Sequence, residues 1–470
     1  MNNKLLEYVF GIESQGSTPE ERARTSTYQF VRSQDHLSLL KKTSTGHRLK
    51  ACEALEIYGF DVLKEVHDYG SAILVCSEDE PAATLRIQRE ELGLSIHDVA
   101  KRTGLTDSQV NECENSANRS PIRSIEKLAA VLGLDDRLVS VIPGAKRDTN
   151  LAVRLKTIGQ STGLGPSAVL AFSEAAWVIR TQARLLNLLQ IDRRLPTQFI
   201  PSANYGDVSY PVWKHGYYLA NKTRELLGIS ADEPIVLRDV CERLGVPLLQ
   251  AELPKRLAGA TVSSLGQRGI VVNTAGYNQN VWVRRATIAH ELGHLIWDPE
   301  SSLQQVRVDN YDDLFSYSRD RSDFVEARAN AFAVALLAPS DSVKQVFLSH
   351  SDSSVGLRSV MERFGISYSA AKYHVSNSLD RSINIDSLVV DDVEPTDEWQ
   401  GREAYTDDFF PIKDTASLRR GEFAGLVVSA EDKGLISSDT ACGYLQTTQE
   451  RYNSSKTSII SLYSISEHPV

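Results

Sequence analysis

The stretch ATIAHELGHLIWDP, residues 286–299, constrains this chain more than any other. His290 and His294 are four residues apart. On an α-helix that spacing puts both imidazoles on one face, where they can hold one cation. Glu291 follows the first histidine and lies beside that face, placed to take a proton from a polarised water rather than to ligate the ion. Zinc-dependent hydrolysis needs this set plus a third protein ligand and one open position. An ordinary amphipathic helix is the plain alternative, since Ile288, Leu292, Leu295 and Ile296 mark one side as buried. Two histidines on a half-buried helix with no partner would be costly, however. Gly293 sits between the ligands, where a small residue admits another backbone, and it costs about 1 kcal/mol of helix propensity relative to alanine. The fold must therefore bring a second element against this helix, carrying a ligand.

The best source is DFVEARANAFAVALLAP, residues 323–339. Ala329, Ala331, Ala333 and Ala335 give that helix a surface for close packing against the HELGH helix, and Pro339 ends it. Glu326 opens it, and Asn330, one turn on, is placed to support a ligand from behind. Spacing alone favours Glu326 only slightly over Asp320 or Asp323.

The run from YYLANKTRELLG through RRATIAHELGHLIWDP to EARANAFAVALLAP resembles the ImmA/IrrE family of metallopeptidases, over about 140 residues. The resemblance implies a zincin-like fold with a small sheet. It also implies His290, His294 and Glu326 as zinc ligands and Glu291 as general base. One departure is the long segment between the motifs, DPESSLQQVRVDNYDDLFSYSRDRS, which is expected to lie over the cleft. Tyr311 and Tyr317 in it are candidates for stabilising an oxyanion, although loop tyrosines usually just pack.

A second module precedes this one. Within residues 84–140, Ser95 is placed to cap IHDVAKRT, TGLT makes a glycine turn, and Thr106 caps DSQVNECEN. Val99, Ala100, Leu105, Val110, Ile125, Leu128, Ala129 and Leu132 have the spacing of a small helical core. The stretch resembles Xre/Cro-type helix-turn-helix domains, which implies that Thr106, Ser108, Gln109 and Asn111 face DNA and that Arg119 reaches phosphate. Two features depart from that pattern. Ile96 stands where a phosphate-contacting glutamine is usual, and Asp107, Glu112 and Glu114 load the recognition helix with acid. Eight Lys/Arg against nine Asp/Glu over 84–140 predict weak DNA affinity as a monomer, because phosphate contacts dominate affinity. Dimerisation or docking of another Xre-type protein is the alternative use of the same fold.

The remaining sequence sets the frame. The 470-residue chain, 41% hydrophobic and 24% charged, reads as globular, and its net charge of −10 excludes a general nucleic-acid binder. Five scattered cysteines without CxxC argue against a disulfide framework or a thiolate zinc site. The opening MNNKLLEYVFGIESQG is a poor signal peptide, and no apolar run is long enough for a membrane helix, so a cytoplasmic location is expected. The fold class expected is α+β and mostly helical, with a five-helix Xre-type domain followed by the metallopeptidase domain and C-terminal helices. The divisions expected are 1–80 (an α/β region of unassigned role, with PEERARTSTYQFVRSQDHLSLLKK helical), 84–140 (helix-turn-helix), 141–209 (helical connector), 210–385 (peptidase) and 399–470 (helical hairpin). The acidic run 386–398 reads as a linker or solvated edge.

The function these features imply is a zinc-dependent regulatory endopeptidase acting on one partner protein, an Xre-type repressor or antitoxin, in a stress, mobile-element or phage-defence response. Two alternatives remain open. One is a DNA-binding regulator whose peptidase-like domain senses a ligand or metal. The other is the metallopeptidase toxin of a toxin–antitoxin pair. The partners expected are a protein substrate and double-stranded DNA through 84–140, with a homodimer allowed and no membrane.

Overall fold

The computed structural model describes residues 3–142, 144, 147–162, 164–193, 212–298, 306–311, 324–380, 383–391 and 393–463. It is mostly helical, with two small sheets, and divides into two compact units: residues 1–192 with 409–469, and residues 193–408. Among the described residues no single helix is long and apolar enough to cross a membrane.

The first unit opens with α1 (Asn3–Phe10) and α2 (Pro19–Thr25), then β1 (Gln29–Arg32), β2 (His36–Leu39), β3 (His47–Lys50), α3 (Ala51–Tyr69) and β4 (Ser71–Ile73). The strands form one antiparallel sheet in the order β3-β1-β2-β4. The helix expected across 19–42 therefore stops at Thr25. Beyond it, TYQFVR and HLSL alternate β-favouring residues, and burial of Phe30 and Leu37 outweighs helix propensity.

Four short helices follow: α4 (Ala82–Glu91), α5 (Ile96–Thr103), α6 (Asp107–Cys113) and α7 (Ile122–Val131). Ser95 and Thr106 each cap the helix after them in a reciprocal capping box, and Gly104 makes the turn between α5 and α6 with φ of 68°. A further helix, α8 (Thr149–Thr162), packs back on α4. The helix α9 (Pro166–Leu189) is buried along most of its length and is a core element of this unit. Its Glu174 receives half-buried Arg102 of α5 on one side and fully buried Arg419 on the other. Three C-terminal helices, Glu422–Asp432, Ser438–Leu445 and Gln449–Leu462, complete the unit. Thr440 joins the N-terminal sheet through His47 Nε2 at 2.7 Å.

The second unit runs α10 (Val212–Leu226), α11 (Leu237–Arg243), β5 (Leu248–Ala251), β6 (Leu257–Ser264), β7 (Gln267–Asn273), α12 (Val281–Trp297), β8 (Arg307–Asn310), α13 (Phe324–Leu337), α14 (Ser340–Leu348), α15 (Ser353–Phe364) and α16 (Tyr368–Ser378). Its sheet has the order β5-β7-β6-β8, parallel between β5 and β7 and antiparallel elsewhere. Three of its four strands, β5, β6 and β7, precede the HELGH helix and form most of the small sheet that the resemblance implied. The core gathers Leu292, Leu295 and Trp297 of α12, Phe332 and Leu336 of α13, and apolar residues of α10, α15 and α16. Leu388 and Trp399 join that core, so the run 386–398 is not wholly a solvated edge: an apolar residue inside the acidic stretch anchors it.

Three contacts fix the helices that matter. Asn280 caps α12 by accepting from Trp282 and Val283. Arg285, fully buried, binds Glu403 and the carbonyls of Ile235, Phe364 and Gly365 while stacking on Trp399. Gly216 of α10 lies so close to α13 that a Cβ there would meet Arg328 O at 2.5 Å and Ala331 Cβ at 2.8 Å. The alanine face of α13 therefore admits α10 backbone to backbone. Gly293 of α12 instead makes room for the Phe332 ring, 2.7 Å from where a Cβ would stand, and not for a backbone as its spacing suggested.

His374 of α16 ties this packing together, contacting Tyr217 Oη and Ala338 O, each at 2.5 Å. Burial pushes its imidazole down to about 4, so it is neutral at pH 7. In the unfolded chain it protonates near its ordinary value of about 6.5. Stability is therefore lost as pH falls from 6.5 towards 4, by on the order of 3 kcal/mol in all and about 2 by pH 5. Urea unfolding at pH 7 and pH 5 is expected to show His374→Gln losing less stability on acidification than the parent.

Candidate metal centre

The HELGH helix delivers its side chains into a closed interior. His290, Glu291 and His294 are all fully buried. The two Nε2 atoms face each other at 3.0 Å, and the Glu326 Oε2 atom of α13 stands 3.3 Å from His290 Nε2 and 3.6 Å from His294 Nε2. A fourth group is present. Asp309 of β8, almost fully buried, reaches to 3.5 Å from His290 Nε2. One ligand atom from each of His290, His294, Asp309 and Glu326 lies within 4.8 Å of the others.

The outer nitrogens decide how the inner ones are used. His290 Nδ1 meets Asn330 Oδ1 at 2.8 Å, and His294 Nδ1 meets Asp298 Oδ2 at 2.9 Å. Both partners are oxygen acceptors, so each Nδ1 carries the proton and each Nε2 presents a lone pair to the centre. Asp298 is held in turn by Arg328. Burial pushes His294 down to about 4 despite the Asp298 contact, which keeps it in the neutral form that ligates.

Carboxylate chemistry points the same way. Glu291 Oε1, Asp309 Oδ2 and Glu326 Oε2 are all buried without a hydrogen-bond partner. Burial, and after it the charge of Asp309, raise the Glu291 carboxyl well above its usual range. Asp309 is also buried, yet contact with His290 holds it low. Asp309 and Glu326, each with an orphaned buried oxygen beside two facing imidazole nitrogens, are unfavourable without a cation and are satisfied by one divalent cation. The nitrogen–oxygen donor set fits zinc.

The strand β6 shapes the wall beside Glu291. Thr261 Oγ1 donates to Glu291 Oε2 at 2.7 Å. Gly259 leaves the space that Glu291 fills, since a Cβ there would stand 3.1 Å from Glu291 Oε1.

The structure thus brings together His290, Glu291, His294, Glu326 and Asn330, all singled out by sequence. Asp298, Asp309 and Thr261 were missed. Asp298 was within reach of spacing, four residues beyond His294. Asp309 and Thr261 depend on strand register and carry no local signal. Tyr311 does not face the centre as a free hydroxyl: it accepts from Asn278 N–H and donates to Ala275 O. Tyr317, Asp320 and Asp323 lie outside the described residues, as does most of the segment expected over the cleft.

In the other unit, Thr106, Ser108, Gln109, Asn111 and Arg119 are all exposed. Arg119 pairs with Asp35 at 3.2 Å. Of the three acids on the expected recognition helix, Glu114 is turned inward and bound twice by Arg89, at 2.7 and 2.8 Å. The exposed acid load there is therefore Asp107 and Glu112.

Comparison with known proteins agrees with both halves. Residues 82–141 match the model of a helix-turn-helix domain, and residues 241–376 match that of the IrrE N-terminal-like domain, a peptidase family. A search of curated proteins returns no match to the chain. The protein is thus a helix-turn-helix module joined to a metallopeptidase-like module. More narrowly, the first is similar to Xre-type helix-turn-helix domains and the second to IrrE-type peptidase domains, a combination that supports a DNA-binding regulator carrying a peptidase-like domain.

Removing the support behind His290 tests the centre. Asn330→Ala is expected to weaken zinc binding about 10- to 100-fold, read by competition with a chromophoric chelator. Unchanged affinity would mean that Asn330 does not orient the histidine.

Proposed function

We propose that this protein is a zinc-dependent regulatory endopeptidase that cuts one partner protein, a helix-turn-helix repressor or antitoxin, in a stress, mobile-element or phage-defence response. The observation that carries the reading is the buried constellation of two facing imidazoles and three carboxylates with orphaned oxygens. His290, His294 and Glu326 would hold the zinc, and Asn330 and Asp298 fix the two rings. When bound, zinc supplies Lewis acidity at the scissile carbonyl.

The chain's own groups do the rest. Glu291 Oε1 takes a proton from the attacking water and later passes it to the leaving amine. Thr261 holds the other oxygen of that carboxylate, so Oε1 alone is left to move the proton. Gly259 keeps the approach beside it open. With this wall, Oε1 is placed as base without being able to swing away.

The exposed Thr106, Ser108, Gln109 and Asn111 would read a DNA site or dock a related regulator, restricting cleavage to proteins gathered there. A second reading, a DNA-binding regulator whose peptidase-like unit senses metal, is favoured by one observation: Glu114 is neutralised inside the fold by Arg89, so the DNA-facing surface is less acidic than its composition. Footprinting with and without zinc separates the two readings.

The direct test incubates parent and Glu291→Gln proteins with the products of neighbouring genes. The parent is expected to make one cut, and Glu291→Gln to slow it by at least 100-fold at equal zinc content. Equal cutting by both would remove Glu291 from the reaction.

A further inference from the structure

A catalytic zinc site keeps one coordination position open, whereas a site with four protein donors is closed. Four donors surround this centre, and the fourth, Asp309, is not on the helix pair that carries the other three. It is delivered by β8, which pairs antiparallel with the outer edge of β6: Asn310 opposite Leu257, Asp309 opposite Gly259, Val308 opposite Ala260 and Arg307 opposite Thr261. The register slips between Leu257 and Gly259. Such an irregularity re-aims side chains at a sheet edge. Here it falls where Asp309 turns into the centre, across from the glycine that leaves room for Glu291.

The same strand touches the third ligand. Arg307 contacts Glu326 Oε1, while Oε2 faces the two histidines, and Arg307 Nε also lies 3.4 Å from Asp309. β8 therefore contributes an anion to the centre and a cation that fixes Glu326. It also covers the one edge of β6 that an incoming peptide would pair with beside Glu291, since the other edge is already taken by β7.

We propose that β8 is an internal plug of the metal centre: Asp309 is a fourth protein ligand, and the strand fills the position along β6 that an extended protein substrate must take. The closed state is then latent. It becomes competent when an extended segment of the substrate pairs with β6 in place of β8, which withdraws Asp309 and frees one position at the metal. Recognition of a particular partner and opening of the site become one event, because only a segment that pairs better with β6 than β8 does can enter. The proposal rests on the peptidase reading above, but its two readouts do not need cleavage.

The test uses the full chain loaded with one zinc. First, Asp309→Ala is expected to lower zinc affinity at least tenfold in chelator competition. Asp309→Asn, which keeps the side chain's shape, serves if the alanine variant fails to fold. Second, a fluorescein-labelled trialanyl hydroxamate is a strand-like peptide that ends in a metal-binding group. Its anisotropy is expected to report binding at least tenfold tighter to the variant than to the parent. Unchanged zinc affinity, or equal hydroxamate affinity for parent and variant, would overturn the plug. If both shifts appear but no form cuts any protein, the plug stands and the peptidase reading fails. If the parent cuts as fast as Asp309→Ala, the plug fails and the peptidase reading stands.

Discussion

Two imidazole nitrogens facing each other at 3.0 Å inside a closed core are the constraint on which the second unit is built. Each is turned inward by an acceptor on its far side, Asn330 for His290 and Asp298 for His294. Asp309 and Glu326 each bring a carboxylate oxygen within 4.8 Å of the same nitrogens, and each has a buried oxygen without a hydrogen-bond partner. Such a cluster carries a heavy desolvation cost by itself and becomes favourable around a cation. Much of the surrounding structure serves to hold it. Asn280 and Arg285 fix α12, Gly216 lets α10 press against α13, and Phe332 fills the notch left by Gly293. The sheet contributes through β6, whose Thr261 and Gly259 fix where Glu291 can be.

The first unit is organised by different means. Its longest described helix, α9, lies in the core and carries Glu174, which binds Arg102 of the helix-turn-helix region and Arg419 near the C-terminus. Residues far apart in sequence are thereby held in one unit, as they are again where His47 and Glu53 reach Thr440. The exposed polar face of α6 is thus presented from a braced platform, and the inward turn of Glu114 onto Arg89 removes one of its negative charges from the surface.

How much of this could be read from the sequence follows from the range of each interaction. The HELGH spacing, the Glu326 helix with Asn330 one turn on, and the caps at Ser95 and Thr106 are local, and the structure places them as their spacing requires. Asp298 was equally local, since it stands one turn beyond His294, but as a helix-ending residue it looks like a cap. Asp309 was not legible, because its role depends on which residue of β6 it faces, and register is set by the whole sheet. The strands at 29–32 and 36–39 were masked by helix-favouring residues just before them. The acidity of the recognition helix was overstated because composition cannot say which carboxylate turns inward.

The central claim is that α12 and α13 together make a zinc site, and metal content tests it most directly. After dialysis against a weak chelator, the parent protein is expected to retain one zinc per chain and Glu326→Ala to retain almost none, both folded by far-UV circular dichroism. Zinc retained by Glu326→Ala at the parent's level would contradict the account.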